Sequence, residues 1–482
     1  MKNKKIDFLL VFFIVLVGLI LRLYKINLPL ADYHSWRQAD TAAVARNFIK
    51  EKKIDLFHPR YDDLSSIQSG KENPHGYRMV ELPIYQAIIT WLYFINPKVS
   101  LEVYGRLTSI FFTLITITVV YFLMSKETTR LAAFFSSFTL AVLPFFVFFT
   151  RTFLPESTAT GFVFLSIFFL YLFSKITSYH QWLMYFFSLI FFSFSLLIKP
   201  TTIFYLFPLF YLFYLKYKKK LFITPFFYFY FICAFIPLIF WRVYINQYEE
   251  GIPANQWLFT SVNTADGLKK IFFRPSFFRW IFFERLNNLI FGGYLAFFFL
   301  LGIVFRRKGF FWLSFLLTML SYFFTFQGGN VQHEYYQIII FPILAIFVGL
   351  GVDGLFSLKA KVISRLFLGV LVFLIYGFSF YFSYDKVKNY YHIPQDLIYT
   401  ASIIRSLTKE NDYIVTDTIG DTTLLYLSNR RGYPAVYKDL SYFKNLGAKY
   451  FYTRNRSVIE DILKSNIYPV VFRNNQFALF RL

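Results

Sequence analysis

The residues best suited to chemistry lie between Asp32 and Phe48, which read D-Y-H-S-W-R-Q-A-D-T-A-A-V-A-R-N-F. Two carboxylates (Asp32, Asp40), one imidazole (His34) and two guanidiniums (Arg37, Arg46) crowd this stretch in a chain that is only 16% charged. At helical spacing Arg37, Asp40 and Val44 share one face, so acid and base point the same way. A carboxylate beside a fixed cation suits proton abstraction next to an anion. An amphipathic helix lying on a membrane surface would use the same residue types, and the stretch alone leaves both readings open.

The elements that must hold it are membrane spans. The chain has 482 residues, is 57% hydrophobic, and contains 69 Phe and 37 Tyr. Its repeated apolar runs of about 17 to 22 residues predict an all-α polytopic membrane protein, because only internally satisfied backbones cross lipid. The first run, 8–24, lacks a small-residue cleavage site after it and reads as a retained span, not a signal peptide. The others are 106–124, 131–149, 157–174, 182–198, 200–215, 222–243, 286–305, 309–326, 335–352 and 363–384, making eleven. Residues 82–95 form a further apolar piece, too short for a span and closer to a juxtamembrane or re-entrant segment.

Leaving that piece uncounted puts the basic clusters at 125–130, 175–181, 216–220, 306–308 and 359–365 on the side of Lys2, Lys4 and Lys5. By the positive-inside rule the N-terminus is then cytoplasmic and the C-terminus outside. The formal net charge of +23 expresses the same orientation signal. Because Lys and Arg are spread among loops and form no single face, nucleic acid is excluded as a partner. Cys233 is the one cysteine, so no intrachain disulfide exists.

Two domains follow: a membrane domain, 1–385, with outer loops 25–105 and 246–283, and a small extracytoplasmic α/β domain, 386–482. In the latter, strands at 413–416 and 449–452, helices at 422–428, 440–446 and 458–465, and a closing hairpin of 470–472 with 476–480 are expected. Residues 416–421 (T-D-T-I-G-D) read as a plain turn and helix cap in preference to a polar site. No glycine-rich phosphate loop, metal-spaced Cys/His cluster or nucleophile elbow occurs.

This topology gathers ionisable groups at the outer mouth of the bundle, where such groups are a functional signal. The acids are Asp32, Asp40, Asp62, Asp63, Glu81 and Glu156; the cations are Arg37, Arg46, Arg106, Arg151 and Lys199, with His333. Asp62-Asp63 reads as a solvated turn in preference to a metal pair. Structural roles compete at Glu156, a favourable first-turn acid after Pro155, and at Lys199, which can snorkel to the interface. His333 can equally be a structural hydrogen-bonding histidine, and Tyr335 and Tyr336 members of an interfacial belt. The mixture suits transfer from a phosphate-activated donor: a carboxylate deprotonates a hydroxyl or amine, and Arg and Lys hold the departing phosphate. Outside the cytoplasm such a donor must be anchored to a lipid. The acids could act alone or hold a divalent cation.

In order along the chain stand A-D-T-A-A-V-A-R-N-F, V-E-L-P-I-Y-Q (80–86), Y-G-R-L (104–107), R-T-F-L-P-E (151–156), I-K-P (198–200) and H-E-Y-Y-Q-I-I-I-F-P (333–342). Over about residues 1–350 this set resembles the C-type-fold membrane glycosyltransferases, in the branch of the dolichyl-phosphate-mannose protein mannosyltransferases and bacterial aminoarabinose transferases. The resemblance implies inverting transfer of a sugar from a polyprenyl-phosphate carrier to a lipid, glycan or protein acceptor. It implies a catalytic acid in the first loop and a second acid, which falls on Glu156. Arg37-Gln38 stands where the family often has its acidic pair, so the first acid is Asp40 or Asp32, with Asp40 favoured for sharing a face with Arg37. Arg151, Lys199 and His333, Glu334 and Tyr336 would line the donor phosphate and Glu81 its rim, with His34, Arg37, Arg46 and Arg106 as further substrate-binding residues. The C-terminal domain adds little to the resemblance.

A transporter or flippase of lipid-linked saccharides, a polysaccharide polymerase or ligase, and a receptor-like scaffold are the rivals. The first would need polar residues deep in the spans or inverted repeats, and neither is visible. The Phe, Tyr, Ile and Lys usage points to a bacterial cytoplasmic membrane.

Overall fold

The computed structural model describes residues 2–253, 274–305, 310–358 and 365–482. Asp266-Gly267 of the loop expected at 246–283, the basic cluster 306–308 and all but the last residue of the cluster 359–365 lie outside the described residues.

The helices run, in chain order, α1 (Lys2–Leu23), α2 (Ser35–Lys50), α3 (Ile84–Ile95), α4 (Leu101–Glu127), α5 (Arg130–Val142), α6 (Pro144–Phe149), α7 (Glu156–Lys175) and α8 (Gln181–Ile198). A 3₁₀ turn, Pro200–Tyr205, leads into α9 (Leu206–Tyr217), followed by α10 (Pro225–Ile245). Further along come α11 (Pro275–Phe278), inside the loop expected at 246–283, which continues as a π-helix over Arg279–Ile290, then α12 (Leu295–Phe305), α13 (Phe310–Thr325) and α14 (Gln327–Gln332). Another 3₁₀ stretch, Glu334–Ile340, feeds α15 (Phe341–Ser357), and α16 (Arg365–Val387) closes the apolar part. The remainder is α17 (Gln395–Leu407), β1 (Tyr413–Thr416), α18 (Thr423–Ser428), β2 (Gly432–Tyr433), α19 (Leu440–Asn445), β3 (Ala448–Thr453), α20 (Arg456–Ser465), β4 (Val470–Arg473) and β5 (Ala478–Arg481).

Among the described residues seven helices are long and apolar enough to cross a membrane, or eight if the bent pair around α12 is one span. The chain is thus a multi-pass helical membrane protein with a small sheet near its C-terminus. Two predicted spans differ in form. The run 131–149 is two helices, because Pro144 has no N–H to continue α5. The run 286–305 bends by 118° between Ile290 and Leu295, at Gly292 and Gly293, whose φ of 56° and 86° favour glycine. At 12 residues, or about 18 Å, α3 is shorter than the hydrocarbon core.

The chain forms two compact units. The first comprises 1–26, 106–242 and the described part of 256–389. Here α15 packs closely on α12 and α5; a Cβ on Gly302 or Gly351 would lie 1.8 Å from a carbonyl of the facing helix. Small residues at that crossing let the backbones touch, as membrane packing demands. The fully buried Arg22 repairs the α5–α6 break, donating to the carbonyls of Leu140 (2.9 Å) and Ala141 (2.8 Å) and to Thr150 Oγ1 (2.9 Å).

The second unit comprises 27–105, the described part of 243–255, and 390–482. Its five-stranded sheet has the order β2-β1-β3-β5-β4, parallel at β2-β1-β3 and antiparallel at β3-β5-β4. The expected strands, helices and hairpin are present; β2 and α17 were not foreseen. Residues 27–105, the loop after α1, are part of this fold. Leu64 N–H donates to Gly432 O (2.8 Å), Gly432 N–H donates to Asp62 O (2.9 Å), and Leu64 joins the core of Val415, Tyr433, Phe451 and Phe480.

Candidate active site

Within the first unit two of the predicted residues, Glu156 and Lys199, meet where one helix begins and another ends. Glu156 opens α7 behind Pro155 and is 1% exposed. Lys199 follows the last turn of α8, and its Nζ lies 2.8 Å from Glu156 Oε1, an ion pair without hydrogen-bond alignment. Ser157 Oγ, Thr158 Oγ1 and Thr201 Oγ1 are buried around the same two helix ends without hydrogen-bond partners among the described residues. Ser157 also lines a cavity of about 10 Å³ with Thr113, Thr116, Thr150 and Thr160, the size of one water. Polar groups left unmatched indoors call for an explanation, and bound substrate or water supplies one.

Arg151 and Arg106, both fully buried, donate to the carbonyls of Tyr24 and Ile26, the latter at 2.7 Å, anchoring the chain as it leaves α1. His333 precedes the 3₁₀ stretch and stacks on Tyr335 and Tyr336, centroids 5.4 Å and 6.0 Å away. Glu334 pairs with Arg285, which also donates to Val331 O (2.9 Å). Arg285 went unnoticed in the sequence; its burial at 6% exposure was the missing signal.

In the second unit α2 holds the opening stretch. Residues 37–45 are all buried, so α2 is not an amphipathic helix on a membrane surface. His34 caps it in the left-handed region (φ 57°). Arg37 pairs with Glu81 at 3.2 Å. Asp40 points to different partners: Thr422 Oγ1 donates to its Oδ1 (2.7 Å), and Arg78 Nη2 lies 3.2 Å from its Oδ2. Asp32 sits on the irregular segment before α2, where Gln38 Nε2 donates to its Oδ1 (2.6 Å). Arg46 pairs with Asp62, donates to Tyr426 O (2.6 Å) and lies 4.5 Å above the Tyr426 ring.

Asp62-Asp63 is not the solvated turn expected. Both residues are 1% exposed. Asp63 accepts from Ser65 N–H (2.8 Å), and burial pushes its carboxyl up to about 7. Burial likewise raises Asp421, whose Oδ1 accepts from the N–H of Thr423 (2.7 Å), the first residue of α18. Arg78 and Thr422, which hold Asp40, were not foreseen as site residues. Arg78 lies three residues before the V-E-L-P-I-Y-Q motif's Glu81, and Thr422 one residue after the turn singled out by its glycine and acids. Among the described residues no three His, Cys, Asp or Glu side chains gather around a metal position.

The arrangement of the helices is similar to that of solved membrane proteins of the C-type fold. Residues 83–242 match the dolichyl-phosphate-mannose-protein mannosyltransferase family. The structure of ArnT from Cupriavidus metallidurans bound to undecaprenyl phosphate superposes with a TM-score of 0.66 at 13% identity, covering 98% of this chain and 97% of that one. Archaeal oligosaccharyltransferase AglB from Archaeoglobus fulgidus, in complex with an inhibitory peptide and a dolichol-phosphate, gives 0.59 at 12% identity over 94% of this chain and 70% of its own. No curated protein sequence matches the chain.

Proposed function

We propose that the chain is a glycosyltransferase that moves a sugar from a polyprenyl-phosphate-linked donor to a lipid, glycan or protein acceptor, with inversion at the anomeric carbon. The observation that carries this reading is the buried Glu156–Lys199 pair with its unmatched hydroxyl neighbours. A buried ion pair adds little stability over apolar packing, so its retention points to use. The match to ArnT with undecaprenyl phosphate supports a lipid-linked anion as the group to be recognised.

In this reading Asp32 is the general base. Asp40 has one oxygen on a hydroxyl and the other beside a guanidinium, which suits holding over proton transfer. Asp32 takes the proton of an acceptor hydroxyl or amine as that atom attacks the anomeric carbon. The bond from that carbon to the phosphate oxygen breaks, and the carrier phosphate leaves with the electron pair. A fixed cation offsets the charge that collects on it, a part proposed for Lys199. Glu156 orients Lys199 and accepts from donor hydroxyls.

The supporting topology has a cytoplasmic N-terminus, with the first loop and the C-terminal residues outside a bacterial cytoplasmic membrane. Transfer of labelled sugar in membranes containing the chain, offered a panel of undecaprenyl-phosphate sugars, tests the activity. Transfer above vector-only membranes is expected; its absence with every donor would favour a flippase.

A further inference from the structure

The second unit holds a set of contacts that its sheet does not need. Along α2, residues from 390 onward meet the helix at its entry, first turn, middle and end. Tyr33 stacks on Tyr390 at 4.0 Å with an interplanar angle of 10°, and its N–H donates to Tyr390 O (3.1 Å). Thr423 Oγ1 donates to Ser35 Oγ (3.0 Å). Thr422 Oγ1 donates to Asp40 Oδ1 (2.7 Å), with Asp40 and Thr422 1% and 2% exposed. Arg46 reaches Tyr426 O, and Tyr426 OH donates to Glu102 (2.8 Å).

The turn that delivers Thr422 is held under strain. Ile419, β-branched and 94% exposed, adopts φ 53°, a conformation that its side chain does nothing to favour. It persists because the turn is over-determined: Gly420 N–H donates to Pro434 O (2.8 Å), and Thr418 Oγ1 reaches both Asp421 O (2.8 Å) and Pro434 O (2.9 Å). Strain kept at a turn tip whose next residues grip a buried carboxylate is a sign of function.

We infer that Thr422 is a positioning residue for sugar transfer: its hydroxyl latches Asp40, fixes α2, and through Tyr33 and Gln38 sets the segment that carries Asp32. The inference rests on the assignment of Asp32 as base. It gives residues 390–482 a part in the reaction that a detachable domain would lack. The hydroxyl-to-carboxylate bond is charge-assisted and dry, so its loss is large enough to let the segment wander.

The test uses the full-length protein with Thr422→Val, which keeps the shape, and Thr422→Ser, which keeps the hydroxyl. Thr422→Val is expected to lower kcat roughly ten-fold or more with donor KM within two-fold, and Thr422→Ser to restore most of the rate. Hydrogen exchange, read without any activity, is expected to quicken at 27–34 in Thr422→Val and not in Thr422→Ser. A wild-type rate in Thr422→Val, equal loss in both variants, or unchanged exchange at 27–34 would each overturn the latch. Inactive wild type with quickened exchange would retain the latch and overturn the assignment of the reaction.

Discussion

Lys199 Nζ stands 2.8 Å from Glu156 Oε1, with the carboxylate 1% exposed. One partner ends α8 and the other begins α7, so the pair ties two helix termini together. Removing a single partner leaves an uncompensated charge indoors. Lys199→Met should therefore destabilise the protein by about 3–5 kcal/mol. The double variant Glu156→Gln/Lys199→Met should melt much closer to wild type while transferring no sugar. Thermal melting in detergent alongside the transfer assay checks both; a fully active double variant would make the pair purely architectural.

Asp63 carries a pH dependence of stability. Its carboxyl sits at about 7 in the folded protein, well above the ordinary aspartate range, chiefly through burial. The folded state thus favours the protonated acid, so this stabilisation is fully present below about pH 4 and is lost as pH rises through 7. The total is on the order of 4 kcal/mol. Asp63→Asn should accordingly match wild type near pH 4 and exceed it increasingly up to pH 8. A constant difference across that range would contradict the buried-acid account.

Arg22 compensates for a proline. Pro144 cannot donate to Leu140 O, and the guanidinium does so instead, together with Ala141 O. Arg22→Met should leave buried carbonyls unmatched at about 1–3 kcal/mol each. A melting point equal to wild type would mean that water or lipid headgroups serve them equally well.

Much of the fold is legible in the chain because apolar runs and breakers are local signals. The eleven predicted runs each contain helix among the described residues, and the sheet elements fall within a residue or two of expectation. The break at Pro144 and the bend at Gly292-Gly293 were written in the sequence but masked by unbroken hydrophobicity on either side. Site geometry was less legible. That Arg37 and Asp40 share a buried helix follows from spacing, yet their partners, Glu81 for one and Arg78 with Thr422 for the other, come from residues 38 to 382 positions away from Asp40. Nor could spacing show that Asp62-Asp63 is covered, because the cover is β2, a two-residue strand with almost no propensity signal.

The most direct test of the central claim is sugar transfer by Asp32→Asn and Asp40→Asn, each inserted to wild-type level. A loss of about 10²–10⁴-fold is expected in Asp32→Asn, as for removal of a general base. A smaller loss is expected in Asp40→Asn, matching that of Thr422→Val. Abolished transfer in Asp40→Asn with activity retained in Asp32→Asn would contradict the assignment and make Asp40 the base.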